Sequence, residues 1–233
     1  MEKKYEFTNE TTVVDGRTLH RIRALRSFGN VKAGDLGGWI EKEENLSHSG
    51  NAWVYDDAWV ASDAFVADNA RVAGDACVAG DAWVCCDAFV ADHAFVTGNA
   101  FVTNNARVTG NARVADTAWV TGDAWVTDNA FVTDDARVAG NAFVVGDACV
   151  TGDALVTTNS DYFCINGAGS KNGNTTFFRC RTGEICVNCD WFNGTLAEFT
   201  AKVHEMYGGT MYEREYNAAI ELVKIHFDVE DEV

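Results

Sequence analysis

Alanine recurs at Ala52, Ala58, Ala64 and every sixth position to Ala154, eighteen times without a break, and valine follows two residues later each time, from Val54 to Val156. A fixed period held this long means one structural unit used repeatedly, stacked on copies of itself. Within each A-x-V-x, the strand period of two sends Ala and Val to one face and both x residues to the other. The two remaining positions are turn chemistry. The first is mostly Gly or Asp (Gly74, Gly80, Asp92, Gly110), and the second is Asp or Asn in sixteen of eighteen hexads, with His93 and Thr117 as exceptions. Such residues tolerate left-handed backbone angles and bond their own backbone. Each hexad therefore reads as a short strand plus a corner, and three hexads close a triangular coil of eighteen residues.

Eighteen hexads make six coils stacked about 4.8 Å apart, a rod roughly 30 Å long. Ile40 and Leu46 continue the spacing backwards, but His48 stands where the next inward Val is due, so the first coil is expected to be irregular. Aliphatic residues inside, a small residue four positions on and turn residues between resemble the hexapeptide-repeat superfamily over about 110 residues. That resemblance implies a mainly β fold, a left-handed parallel β-helix of about six to seven triangular coils over residues 46–158. Pentapeptide repeats and nine-residue calcium-binding repeats have the wrong period.

Both flanks read as covers for the unpaired strand edges at the rod ends. Residues 1–45 form an N-terminal β cap: Thr12-Val13-Val14, the tight turn Asp15-Gly16, then Arg17 to Leu25 make a hairpin, and Gly29 to Glu44 leads into the first coil. Residues 159–233 form an α+β domain with a hairpin from Thr175 to Cys189, turning at Thr182-Gly183, and two helices. Thr195 with Glu198 makes a capping box, Leu196, Phe199, Val203 and Met206 share the apolar face, and Gly208-Gly209 stops the helix. Thr210 with Glu213 opens the second, whose stripe is Tyr216, Ala219, Ile220, Val223 and Phe227; the acidic tail from Asp228 to Val233 is expected to fray. The segments GNVKAGDLGGWIEKEENL before the rod, and GTLAEFTAKVHEMYG and EYNAAIELVKIHF after it, resemble terminal parts of phage- and prophage-encoded β-helix proteins without assigned function. That likeness implies a genomic setting, and host-cell cytoplasm as the location.

Thirty-five acidic against eighteen basic residues give a formal net charge of −17, which repels phosphate backbones and argues against a direct nucleic-acid partner. The acid is concentrated in the rod: residues 50–158 hold fifteen Asp and four Arg, with no Glu or Lys. No apolar run approaches the ~20 residues of a membrane span, and MEKKYEFTNE lacks the apolar core of a signal peptide, so a cytoplasmic protein is expected. In that compartment the eight cysteines are expected to stay reduced.

The position between Ala and Val carries the strongest functional signal. It holds Trp five times, Phe six, Arg four, Cys twice and Leu155 once, so eleven of eighteen outward side chains are aromatic. Contiguous apolar patches of this extent mark interfaces. A homo-oligomer is therefore expected, most simply the cyclic trimer common in the superfamily, with Phe65, Trp83, Phe101 and Trp119 at the interface. Alternatively, rings stack along each face with Arg covering them by cation–π contact. Arg between rings also suits a small nucleotide-like ligand, because guanidinium pairs phosphate and rings stack a base. The candidate ligand residues are Arg71, Phe89, Arg107, Arg113, Trp125 and Arg137, with help from Arg17, Arg21, Arg23, Arg26 and Lys32.

Catalysis has less to recommend it. The superfamily resemblance implies acyltransferases, which use a histidine near a loop projecting from the helix, but no hexad from 50 to 158 carries an insertion. His93 sits at a corner, and His20, His48, His204 and His226 lie in the flanks without a recognisable nucleophile beside them. Cys186 and Cys189 have metal-ligand spacing, and with Cys164 and Cys180 would complete a four-sulfur zinc site, yet Cys180 and Cys186 are expected to face each other across a hairpin. No cofactor or metal is assigned. The leading expectation is a non-catalytic oligomeric binding protein of phage type, evading host defence by sequestering a nucleotide-like signal or masking a host protein. A hexapeptide-repeat acyltransferase, and a structural rod or acidic decoy, are the alternatives.

Overall fold

The computed structural model describes residues 2–229. After a hairpin of β1 (Tyr5–Val14) and β2 (Arg17–Ala24) and the single strand β3 (Leu36–Ile40), eighteen two-residue strands follow, one per hexad, β4 to β21, from Trp53–Val54 to Leu155–Val156. They form the three faces of a parallel β-solenoid of about seven turns. Each strand pairs in parallel with the one eighteen residues on, Val against Val, as in Phe89 and Val90 opposite Arg107 and Val108. Backbone N–H groups donate along the rod axis, Trp53 to the Ala70 carbonyl at 3.1 Å and Tyr55 to that of Val72 at 2.8 Å. Proline is absent, so no residue of the rod lacks that donor. All eighteen Ala/Val pairs are at most 1% exposed, which places them in the shared interior.

The corners explain the acid. Their first position takes positive φ, as at Asp56, Asp68 and Asp92, and the Asp carboxylate there reaches the next coil. Asp56 accepts the Gly74 N–H at 3.1 Å, Asp92 that of Gly110 at 3.0 Å and Asp128 that of Gly146 at 3.2 Å. Outside this runs a side-chain ladder, Asn51 to Asn69 to Asp87 and Asn111 to Asn129 to Asp147. The Asp residues thus accept axial hydrogen bonds and the Asn residues donate them, and turn chemistry accounts for much of the rod's negative charge.

At the N-terminal end β3 belongs to two arrangements at once, antiparallel to β2 and parallel to the strand Trp59–Val60. It crosses beneath the first coil at Gly37 and Gly38, where a β-carbon would lie 2.6 Å from the Trp53 ring and 2.4 Å from the Ala58 carbonyl oxygen, distances that only glycine permits. Trp53 is therefore covered, not outward-facing as the repeat suggests: it is 1% exposed, with Phe28 at 5.3 Å and Tyr5 at 6.2 Å. Buried Lys4 donates from Nζ to the Ala52 carbonyl at 2.7 Å and lies 5.0 Å from the Phe28 ring centre. Desolvation, with Arg26 nearby, lowers its pKa to about 8.

At the other end the expected hairpin is the middle of a four-stranded antiparallel sheet, β22 (Tyr162–Ala168), β23 (Gly173–Arg179), β24 (Ile185–Cys189) and β25 (Phe192–Thr195). The outer strands are too irregular in hydrophobic pattern to stand out beforehand. Successive residues of β23 serve different cores: Phe178 packs onto the rod interior, while Phe177 joins Ile185, Val187, Phe199 and Val223 beneath the helices. The helices α1 (Leu196–Tyr207) and α2 (Met211–Phe227) carry the expected caps, Thr195 accepting from Glu198 N–H and Thr210 from Glu213 N–H. Met206 is exposed, a correction to the expected apolar face, because Leu196, Phe199 and Val203 already fill the contact with the sheet. Cys180 and Cys186 are joined by a disulfide, with Cα atoms 6.2 Å apart across the β23–β24 turn, so the expectation of eight reduced thiols fails at this pair. Of the acidic tail, residues 230–233 lie outside the described residues.

Two outcomes test this packing. Ala106→Leu should lower stability in urea denaturation by ~1–3 kcal/mol, because the interior has no space for the added carbons. For Lys4, the folded pKa of about 8 lies below the ordinary 10.5, so between these values the unfolded chain holds a proton that the folded chain does not. The stability of wild type relative to Lys4→Met should accordingly rise with pH across that window, by about 1.4 kcal/mol per pH unit; a flat difference would place the ammonium in solvent.

Candidate binding faces of the solenoid

The three faces carry different side chains in register. The first runs Trp53, Arg71, Phe89, Arg107, Trp125, Phe143; the second Trp59, Cys77, Phe95, Arg113, Phe131, Cys149; the third Phe65, Trp83, Phe101, Trp119, Arg137, Leu155. Of the six candidate ligand residues, Arg71, Phe89, Arg107 and Trp125 therefore share one face. Arg113 and Arg137 lie on the other two, so the six do not converge within one chain.

Each rod arginine lies over a ring: Arg71 over Phe89 at 5.0 Å, Arg107 over Trp125 at 5.5 Å, Arg113 over Phe95 at 5.7 Å and Arg137 over Trp119 at 5.3 Å. Among the described residues none of the four is in an ion pair. Their charges are held flat against rings with N–H donors uncommitted to carboxylates. The basic residues of the first flank behave differently: Arg17 pairs Glu41, Arg21 pairs Asp57 and Arg23 pairs Glu6, which assigns them to holding the cap.

The third face is a continuous ring ladder. Phe65 meets Trp83 edge-on at 5.5 Å, Trp83 stacks on Phe101 at 5.6 Å, and Phe101 stacks on Trp119 at 5.1 Å. Trp83 and Trp119 remain 46% and 42% exposed although each has a neighbour on the coil before and the coil after, Phe65 and Phe101 for Trp83, Phe101 and Arg137 for Trp119. One ring leans over the small residue that follows a Val: Trp125 donates from Nε1 to Thr109 Oγ1 at 3.0 Å, and Thr109 is buried. The residues at the second x position are all buried or half-buried, which strand alternation alone does not reveal.

Beyond Phe143, the first face ends in an open cleft of about 440 Å³ between the last coil and β22, lined by Phe143, Asp147, Asn159, Tyr162, Cys164 and His226. The Tyr162 hydroxyl donates to the Phe143 carbonyl at 2.8 Å, the His226 ring lies 5.0 Å from Phe163, and His226 Nε2 is buried without a hydrogen-bond partner among the described residues. Burial raises the thiol pKa of Cys164 above its ordinary value, which disfavours it as a nucleophile. The cleft is not visible in the sequence, because His226 and Cys164 are sixty-two residues apart and meet only through the packing of α2 on β22.

The remaining histidines occupy structural positions. His93 Nδ1 lies 3.3 Å from Asp75 Oδ2 in the corner ladder, His48 stacks on Tyr5 at 4.4 Å, His20 stacks on Phe7 at 4.7 Å, and His204 bonds Glu213 at 2.7 Å. The four C-terminal cysteines do not form one sulfur cluster: Cys180 and Cys186 are consumed by the disulfide, and Cys164 bonds Asn174 instead. A thiol pair elsewhere escaped notice in the sequence. Cys85 and Cys86 adjoin at a corner, with Thr103 Oγ1 3.2 Å from the first sulfur and 3.3 Å from the second.

No protein-family model matches the chain. Among curated proteins it is similar to the uncharacterized acetyltransferase YdcK of Escherichia coli (strain K12), 47% identical over 38 residues, which is 16% of this chain and 12% of that protein. The matched segment thus spans about an eighth of the relative. No described helix is long and apolar enough to cross a membrane.

Removing one exposed guanidinium should leave the solenoid folded. Arg107→Ala should cost no more than ~0.5–1 kcal/mol in urea denaturation, the worth of an exposed cation–π contact. A loss of several kcal/mol would make the pair part of the core.

Proposed function

We propose that this is a non-catalytic, self-associating binding protein whose first and third faces are its contact surfaces. The observation that carries this reading is the set of four arginines, each lying over a ring and without an ion-pair partner among the described residues, beside a ladder of partly exposed rings. The third face, through Phe65, Trp83, Phe101 and Trp119, associates with further copies of the chain, most simply as a cyclic trimer. The first face, through Arg71, Phe89, Arg107 and Trp125, offers guanidinium donors and ring faces to a nucleotide-like anion or to an acidic host protein. Association brings Arg113 and Arg137 of neighbouring chains towards such sites. The likeness of the flanks to phage-encoded β-helix proteins suits a role in occupying a host molecule.

A second reading is an acyltransferase, favoured by the 38-residue similarity to a protein named as an acetyltransferase. The similarity is about two coils long, and in such a repeat the solenoid itself dictates Ala, Val and turn residues. It supports shared architecture more than shared chemistry. An exposed corner histidine in the ladder and hexads without insertions offer no enclosed place for an acyl acceptor.

Native mass spectrometry of the full chain should show an oligomer, with any retained ligand as added mass. Trp83→Asp with Trp119→Asp should shift it to monomers while the circular dichroism stays that of a β-solenoid. A monomeric wild type at micromolar concentration would overturn the self-association. Acetyl-CoA turnover that vanishes in His93→Ala would overturn the non-catalytic reading.

A further inference from the structure

The corner between Val84 and Ala88 breaks the rule that the other corners obey. Its first position is Gly, Asp, Asn or Ser in seventeen of eighteen hexads and Cys only at Cys86, while the residue before it is Ala or Thr in fourteen hexads but Cys85 here. Cysteine supplies neither glycine's backbone freedom nor an Asx side-chain bond, yet Cys86 holds φ +61°. Turn formation therefore gives no reason for it.

Geometry supplies one. Along an extended strand adjacent side chains diverge, whereas the left-handed corner brings the Cys86 sulfur back to the side of Cys85. The two sulfurs and a carboxylate oxygen of Asp68, the corner residue one coil earlier, all lie within 4.8 Å of one another. Asp68 accepts the Cys86 backbone N–H through Oδ2 at 3.1 Å, which holds the carboxylate beside the thiols. Asp68 is exposed and both cysteines are half-buried, so an ion can reach them from solvent. Two sulfurs and one carboxylate suit a d¹⁰ divalent cation, which takes thiolate at about 2.3 Å and carboxylate at about 2.0–2.2 Å and completes four-coordination with water. The cluster of Asp153 with Cys180 and Cys186 differs, because its sulfurs are bonded to each other.

We propose that Cys85, Cys86 and Asp68 form a binding site for a thiophilic divalent cation of the zinc class. Bound there, the ion ties two successive coils together at the corner, displacing the thiol protons to solvent. Neither the contact faces nor the oligomeric state enters this inference.

The test uses the full chain, stripped with a chelator, and titrated with Cd(II) for its thiolate absorbance and with Zn(II) in competition with a chromophoric chelator. One equivalent of Cd(II) should produce the cadmium–thiolate band, and excess Zn(II) should lower it by competing for the same site. Cys85→Thr with Cys86→Gly restores residues that the repeat uses at these positions, so the solenoid keeps its melting temperature and loses that equivalent. Asp68→Asn keeps corner chemistry and should weaken binding at least about tenfold. Cys180→Ser with Cys186→Ser should leave the equivalent in place. Absence of the band in wild type, or its persistence in the Cys85→Thr, Cys86→Gly chain, would overturn the assignment.

Discussion

The structure depends on a triangular interior that admits only small aliphatic side chains, stacked in register on copies of themselves. Once Ala and Val fill it, the N–H groups of the outward residues donate to carbonyls of the next coil, as Phe89 does to Ala106 at 2.9 Å. A one-residue slip would turn every Val outward, so the register is fixed by the same residues that make the core. The corners inherit the constraint: six residues must include a tight bend, and left-handed Gly, Asp and Asn supply it.

Such a stack has no edges along its length and one at each end, and the two flanks solve the two ends differently. The first coil is closed by a strand that passes beneath it on two glycines, with Tyr5, Phe28 and Trp53 packed over the opening and the Lys4 ammonium held at the Ala52 carbonyl. At the far end a sheet lies across the last coil, pairing Cys180 with Ala154 and presenting Phe178 to the interior. That sheet has its own helices on its other side, so one β-strand terminates the rod and begins a second core.

The rod was legible in the sequence because its period is written in residue type: all eighteen inward pairs follow from position modulo six, and the stacking register and the three outward stripes from position modulo eighteen. The capping helices were legible through Thr195, Glu198 and Thr210. Strands β22 and β25 were not, since Tyr162–Ala168 and Phe192–Thr195 lack clean alternation and gain their place only by pairing with β23 and β24. Burial of Trp53 was hidden for a related reason: its cover comes from Tyr5 and Phe28, whose proximity is tertiary. The cleft at His226 and the disulfide likewise arise from contacts that no local pattern encodes. Periodicity reports what a residue does within its coil, and is silent about what folds back over it.

The same regularity gives departures from the pattern unusual weight. Thr117 replaces an Asp or Asn, and its hydroxyl takes over the axial bond by donating to Asp135 at 2.6 Å. His93 Nδ1 likewise lies 3.3 Å from Asp75 Oδ2 of the preceding coil. Both substitutions preserve the ladder, so the repeat explains them without any appeal to chemistry. Cys86 replaces a corner residue without supplying what the corner needs, and the thiol instead faces a second thiol and a carboxylate. In a solenoid, a substitution that keeps the stacking rule belongs to the architecture, and one that breaks it while gathering ligand atoms points to a use beyond the architecture.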